Sequence, residues 1–338
     1  SPLHLERLNH KMRAAFYERM GSARDVLRLD DMPNPQPLAG EVRVRIHWSG
    51  LNPSDVKTRA GLLGRPMVFE RVIPHSDGMG VVDAVGDGVN KRIIGQRVWV
   101  YNAAWGRPFG TAASFTCLPA QMAVPLPDET PDEAGACLGI PAMTALHAVL
   151  MDGGVAGKTV LIAGGAGAVG HYAIQFAAQM GAGRILTTVS SESKARLALD
   201  AGADEVINYK TVPVAERVRE LTQGLGVDRV IEVDIAVNGN QNLDLLRAGG
   251  ECVAYGSSPA PLTLPFPALL AKNLQLKFFL VYQLATRDRA VAQAVLQRLL
   301  KQKTLIHNIG ARLPLSDIAI AHEMVEQGAL GNVVLSVP

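Results

Sequence analysis

The residues Val160-Leu161-Ile162-Ala163-Gly164-Gly165-Ala166-Gly167-Ala168-Val169-Gly170 carry an apolar run straight into a glycine-rich turn. Few local patterns restrict a fold as tightly. A buried strand that empties into such a turn and then a helix is one crossover unit of a parallel sheet. Gly165, Gly167 and Gly170 satisfy G-x-G-x-x-G, yet a chain of 338 residues with 33 glycines produces that spacing by chance. The flanks decide. Thr159–Ala163 is β-branched and aliphatic, as a buried strand requires, and Val169–Met180 places apolar residues at helical spacing before Gly181. Glycine permits the turn and lets the backbone approach a pyrophosphate, and the helix N-terminus offers N–H groups to phosphates. Gly165, Ala166, Gly167, Ala168, Val169 and Gly170 are therefore candidate cofactor-binding residues. The alternative is a glycine-rich βα turn without a ligand, which the flanks disfavour.

The next apolar run, Arg184–Val189, leads into Ser190-Ser191-Glu192-Ser193-Lys194. A site for NAD places an acid about 20 residues past the fingerprint, where it binds the ribose hydroxyls. Ser190 and Ser191 occupy that window here, with Lys194 one turn later, and Glu192 is the one discordant charge, read as a first-turn helix residue pointing to solvent. Hydroxyls, a cation and a new helix N-terminus attract a 2′-phosphate, whereas an acid repels it. NADP(H) is the expected cofactor, with Ser190, Ser191 and Lys194 at its phosphate. The serines could also simply cap the helix at Glu192–Ala201.

Charge is nearly balanced, at 33 basic and 31 acidic residues, and no basic cluster interleaves with aromatics, so no nucleic-acid partner is expected. Cys117, Cys137 and Cys252 lie far apart, which excludes a disulfide framework and a C-x-x-C metal knuckle. A reducing, cytoplasmic location is expected. No apolar run reaches the ~18 residues of a membrane span. Residues 1–11 are polar and read as a cloning remnant or loose extension ahead of Met12.

Residues 12–131 read as a compact, mostly β unit, with strands at Val42–Trp48, Gly80–Val85, Gln96–Val100 and Ala112–Leu118 separated by Pro and Gly clusters. Residues 132–285 open with a helix at Pro131–Met151. They then alternate strands (Thr159–Ala163, Ile185–Val189, Glu205–Asn208, Arg229–Val233, Glu251–Tyr255) with helical segments, the pattern of a doubly wound parallel sheet in an α/β fold. Leu274–Leu284 reads as a last, hydrophobic edge strand through which a homodimer would form. Residues 286–338, with a helix at Asp288–Gln302 and a strand at Val333–Val337, return to the first domain.

At this point the chain resembles the zinc-free quinone oxidoreductases, the ζ-crystallin-like branch of the medium-chain dehydrogenase/reductase superfamily. The similarity runs from about Met12 to the C-terminus. It rests on the glycine turn and on Gly50-Leu51-Asn52-Pro53-Ser54-Asp55, Pro74-His75-Ser76-Asp77-Gly78-Met79-Gly80-Val81-Val82, Gly110-Thr111-Ala112-Ala113, Gly139-Ile140-Pro141-Ala142-Met143-Thr144-Ala145, Gly202-Ala203-Asp204 and Asn208-Tyr209-Lys210. The resemblance implies a GroES-like catalytic domain beside a Rossmann NADP-binding domain, with the nicotinamide in a cleft between them. It implies that Tyr209 joins Ser190, Ser191 and Lys194 at the 2′-phosphate, and that Thr144, Tyr255, Gly256 and Ser257 approach the nicotinamide end. Thr144 could instead bond its own helix backbone, and Tyr209 could be a strand-end tyrosine with a solvated hydroxyl. Asn332, near Gly331, stands where several relatives have a lysine or arginine and is carried over weakly.

Zinc alcohol dehydrogenases carry a cysteine where this chain has Gly50–Asn52 and a His-Glu pair where it has Ser76-Asp77. A catalytic zinc needs three protein ligands, so no metal is expected, and His75 reads as a hydrogen-bonded structural residue. Without a Lewis acid, alcohol oxidation is hard, whereas a quinone or enone accepts hydride and needs only hydrogen bonds on its developing oxyanion. The candidate catalytic residues are Asn52 and Lys57. Many relatives have a tyrosine at position 57, so Lys57 is either a positive field at the site or a solvated helix charge. Asp55 reads as an orienting group, and Trp105 as a pocket wall or a core residue. The expected activity is NADPH-dependent, zinc-independent quinone reduction. The alternatives are a 2-alkenal or enone double-bond reductase, or a non-catalytic NADPH-binding crystallin-like or RNA-binding protein.

Overall fold

Alternation of buried and exposed positions governs the first third of the chain in the computed structural model, which describes residues 10–338. Strand β3 (Glu41–Leu51) buries Val42, Val44 and Ile46 while Arg43 and Arg45 face the other way. Before it, β1 (Lys11–Phe16) and β2 (Arg28–Pro33) form an antiparallel pair flanking a single helical turn, α1 (Ala23–Val26). After β3 come α2 (Pro53–Ala60), β4 (Asp77–Val85), β5 (Arg97–Val100), β6 (Phe115–Pro119) and β7 (Ala123–Pro125). Across β3 and β4, Arg43 pairs with Asp83 at 2.9 Å and lays its guanidinium over Phe115.

The segment read as one helix over Pro131–Met151 is instead broken. It contains α3 (Asp132–Gly135), a π-helical turn at Leu138–Ala142, and α4 (Met143–Leu150). Pro141 lies in the turn and brings no N–H to the helical ladder. Next to it, a Cβ on Gly139 would come within 2.3 Å of the Asp77 carboxylate, so the chain passes that carboxylate as bare backbone.

Strands and helices then alternate: β8 (Thr159–Ile162), α5 (Ala168–Gln179), β9 (Arg184–Val189), α6 (Glu192–Ala201), β10 (Glu205–Asn208), α7 (Val214–Leu221), β11 (Val227–Glu232), α8 (Ile235–Leu245), β12 (Leu246–Ala254), α9 (Phe266–Ala271) and β13 (Gln275–Phe278). All pairings are parallel, in the order β10-β9-β8-β11-β12-β13. The order reverses between β8 and β11, which is the switch point where doubly wound sheets bind nucleotides. Buried Arg229 on β11 pairs with Glu251 and donates to the carbonyls of Ala148, Val149 and Met151, closing the C-terminal end of α4. The expected last strand over Leu274–Leu284 shrinks to four residues, and the chain turns into a 3₁₀ helix at Val281–Gln283. Within it, Gln275–Phe278 pairs in parallel with β12.

The last stretch holds α10 (Thr286–Lys301), β14 (Ile309–Pro314), α11 (Ile318–Glu326) and β15 (Asn332–Ser336). β14 and α11 have no counterpart in the sequence reading. A seven-stranded sheet runs β14-β15-β3-β4-β5-β7, with β6 also on β3.

By internal contacts the chain divides into two units. One runs to Ile140 and resumes at Gln297–Pro338, and the other is Pro141–Leu296. The sequence reading put the boundaries at 131/132 and 285/286. The shift arises because Ile140 donates its N–H to Asp77, and Gln297 bonds Trp99 and Pro125, within the first unit. The reading of residues 1–11 as an extension falls, through residue 9, outside the described residues, and Lys11 already pairs with Pro33 in β1.

Candidate active site

The glycine turn leaves β8 through Gly164, whose φ of +68° suits glycine. Gly165 follows against β9. The N–H groups of Gly164 and Gly165 reach Thr188 Oγ1 and the Thr188 carbonyl at 3.1 Å each, and Thr187 donates to the Ile162 carbonyl at 2.6 Å. A Cβ on Gly170 would meet the Gly164 carbonyl at 2.1 Å, so the turn and the first turn of α5 close on each other. Gly167 is the N-cap of α5 in extended conformation, and no side chain caps it. Ala168, Val169 and Gly170 thus start a helix without a built-in acceptor at its positive end.

At the end of β9, Lys194 Nζ donates to Ser190 Oγ at 3.0 Å, while Ser191 Oγ accepts from the Lys194 backbone N–H at 3.3 Å and contacts Ser193 Oγ at 3.1 Å. Ser191 is therefore the N-cap of α6. Ser190, Ser191 and Lys194 form one cluster, and exposed Glu192 makes no part of it. Tyr209 continues the neighbouring strand, its N–H on the Val189 carbonyl at 3.1 Å, and the residue is 51% exposed. The Lys210 ammonium stands 5.5 Å above the Tyr209 ring. Lys210, which the sequence reading quoted in a motif but gave no role, is a cation set apart from other surface lysines by that ring contact.

Across the switch point, Tyr255, Gly256 and Ser257 leave β12 beside the end of β11. Tyr255 donates its backbone N–H to Glu232, Gly256 accepts from Ile235, and Ser257 Oγ accepts from the Ala236 N–H. Burial raises the Tyr255 phenol, with Glu232 adding to it, so it stays protonated. On α4, Thr144 is buried and its hydroxyl has no hydrogen-bond partner among the described residues. The alternative in which that hydroxyl bonds its own helix therefore fails. An orphaned buried hydroxyl, an uncapped helix and a serine–lysine cluster together fit a phosphorylated dinucleotide.

In the other unit, Asn52 is the N-cap of α2, its backbone N–H bound to Asp55 Oδ2 at 2.8 Å and its side-chain Nδ2 to Asp77 Oδ2 at 2.9 Å. Asp77 Oδ2 also accepts from Ile140 N at 3.0 Å. Asp77 and Asp55 both orient Asn52. Burial pushes the Asp55 carboxyl up to about 7, against the Asn52 N–H, which lowers it. Lys57 lies half-buried one turn further on. Buried Asn332 spends its backbone and side-chain N–H groups on the Asn308 carbonyl, at 2.8 and 3.1 Å. It thereby holds a loop of its own unit.

The site can now be set beside known proteins. Residues 168–301 match the family described as zinc-binding dehydrogenase, and residues 38–128 the alcohol dehydrogenase GroES-like domain. The quinone oxidoreductase of Homo sapiens is 30% identical over 317 residues, covering 92% of this chain and 94% of that protein. The chain belongs to the quinone oxidoreductase branch of the medium-chain dehydrogenase/reductases. Among solved structures, a quinone oxidoreductase of Escherichia coli complexed with NADPH superposes with a TM-score of 0.86 at 26% identity, covering 97% of this chain and all of that one. A mycobacterial protein complexed with NADPH gives 0.84 at 30% identity over 97% of this chain.

The matched family's description names zinc, and the donor set here does not suit it. Ser76 Oγ accepts from Ala104 N, and the Asp77 carboxylate is committed to Asn52 and Ile140. His75 is committed through both ring nitrogens to Ser49 and His322. Among the described residues no group of three or more His, Cys, Asp or Glu is placed to hold a metal ion.

Proposed function

We propose that this chain reduces quinones with NADPH by hydride transfer and without zinc. The observation that carries the reading is the Ser190–Ser191–Lys194 cluster at the end of β9, together with the uncapped N-terminus of α5 after the neighbouring strand β8. The helix end takes the pyrophosphate through Ala166, Gly167, Ala168 and Val169. The cluster, with Tyr209, takes the 2′-phosphate through charge-assisted bonds that NADH cannot offer. Bound there, NADPH supplies the hydride.

The rest falls to the protein. Thr144 offers its unused hydroxyl toward the nicotinamide, and Tyr255, Gly256 and Ser257 wall that end of the sheet. Asn52, held by Asp77, donates to the acceptor oxygen as charge develops on it, and Lys57 adds a positive field. The NADPH complexes of the similar E. coli and mycobacterial proteins support the cofactor. The unsuitable donor set supports independence from zinc.

The test is turnover of 1,4-quinones and of short 2-alkenals, each with NADPH and with NADH, before and after chelation. Quinone turnover with NADPH that survives chelation is expected. Preference for NADH overturns the cofactor reading, and turnover of alkenals alone makes the chain an enone reductase. Loss of activity on chelation, restored by zinc, overturns the metal reading.

A further inference from the structure

A buried hydrogen-bonded chain crosses the unit that holds Asn52, and it has a direction. Arg59 on α2 donates from one guanidinium nitrogen to His322 Nδ1 at 2.7 Å and from another to Glu326 at 2.5 Å. His322 Nε2 meets His75 Nε2 at 2.9 Å, His75 Nδ1 meets Ser49 Oγ at 2.9 Å, Ser49 Oγ meets Thr111 Oγ1 at 2.8 Å, and Thr111 donates to the Asp77 carbonyl at 2.6 Å. Arg59, His322, His75, Ser49, Thr111 and Asp77 are all buried.

Every proton on this path can be assigned. Arginine has no acceptor, so His322 Nδ1 is bare and its proton sits on Nε2. Only one hydrogen fits between two ring nitrogens 2.9 Å apart, so His75 Nε2 accepts and His75 Nδ1–H donates to Ser49. Ser49 then donates to Thr111, whose own hydroxyl reaches the Asp77 main-chain carbonyl. One end can only donate and the other can only accept, so all five links are satisfied in a single sense and none in the reverse. Burial holds both imidazoles neutral, His75 down to about 3 and His322, facing His75 and Arg59, down to about 2.

The chain also carries strain. His75 has φ +78°, a left-handed backbone that a non-glycine residue adopts only at an energetic cost. A glycine there would fold without it and would break the path. The path ends on Asp77, whose carboxylate grips Asn52, and it ties the end of β3 to the start of β4.

We propose that Arg59, His322 and His75 are positioning residues, a proton-ordered clamp that fixes Asp77 and through it the amide of Asn52. The proposal rests on the reading of Asn52 as donor to the acceptor oxygen, but its first test does not. In the folded wild-type protein, ¹⁵N spectra of the histidines will show His75 with its proton on Nδ1 and His322 with its proton on Nε2. Two rings of the same tautomer, or either ring cationic at neutral pH, overturn the clamp whatever the enzyme reduces.

The second test is kinetic. His322→Leu breaks the path and lowers kcat for quinones roughly 10- to 100-fold, the scale of a slightly misplaced group, with the KM for NADPH unchanged. His322→Gln, whose carbonyl can accept from Arg59 while its amide donates to His75, recovers most of that loss. If His322→Leu folds and keeps wild-type kcat, or if His322→Gln recovers thermal stability without kcat, the residues are structural only and the proposal falls. If the tautomers are as assigned and the wild type turns over no quinone, the functional reading fails and the clamp stands.

Discussion

Lys194 carries the sharpest test at the scale of single residues. Its ammonium sits on Ser190 Oγ. Lys194→Ala removes one charge-assisted contact to a 2′-phosphate and should weaken NADPH binding about 10- to 100-fold, leaving NADH within about threefold. Titration of cofactor fluorescence checks this, and equal losses for both cofactors would place Lys194 outside the phosphate site. Asp55 supplies a pH dependence. Its carboxyl titrates near 7 in the folded state, against about 3.9 for an unperturbed aspartate. Between those values the folded chain binds a proton that the unfolded chain has lost, so this contribution to stability falls as pH rises across the window and levels off above it. Asp55→Asn should narrow the difference in Tm between about pH 5 and about pH 7.5, as read by calorimetry. An unchanged difference would mean that Asp55 does not titrate there. Ser190, Ser191 and Lys194 were legible as a cluster because neighbours in sequence meet on one strand end. His322 and Arg59 were not, since 263 residues separate them and no local pattern links a histidine on α11 to an arginine on α2.

At the scale of elements, α5 sets stability against binding. Gly167 occupies the N-cap with extended φ and ψ, and a Cβ there meets only the Gly164 carbonyl, at 3.2 Å. Gly167→Asp supplies a side-chain cap, which stabilises a helix by roughly a few tenths of a kcal/mol over glycine, and places a carboxylate where the pyrophosphate would sit. The variant should melt no lower than wild type yet bind NADPH at least roughly 100-fold more weakly, by calorimetric titration. A variant that binds normally would remove α5 from the cofactor site. Element identity was readable for β8, α5, β9 and α6, where period and flanks agree. It failed at Pro131–Met151, where an apolar helical period spans a π turn around Pro141. That turn exists because Ile140 N–H and Gly139 face the Asp77 carboxylate.

For the whole molecule the open matter is assembly. Among the described residues β13 is an edge strand paired with β12 alone, and Phe278 on it is 59% exposed, with Phe266 and Leu270 exposed on the preceding α9. A second copy pairing along this edge would cover its backbone and these side chains. Sedimentation should show a dimer for the wild type and a monomer for Phe278→Lys. A wild type that is monomeric at high concentration removes the edge as an interface. The short β13 does not weaken this expectation, because Leu280 remains 39% exposed beyond its end while Val281 turns inward.

The sequence by itself determined what depends on neighbours along the chain. The βα turn, the serine–lysine window, the alternation of a parallel sheet and the absence of zinc ligands at two short motifs all have periods or spacings of a few residues. Tertiary structure decided what depends on residues far apart: the orphaned Thr144 hydroxyl, the grip of Asp77 on Asn52, Arg229 closing α4, and the one-way path from Arg59 to Asp77. The physical reason is that a hydrogen bond is a statement about two partners. Where the partners lie within a helical turn, spacing reveals them. Where they lie hundreds of residues apart, only the packed core shows which donor meets which acceptor.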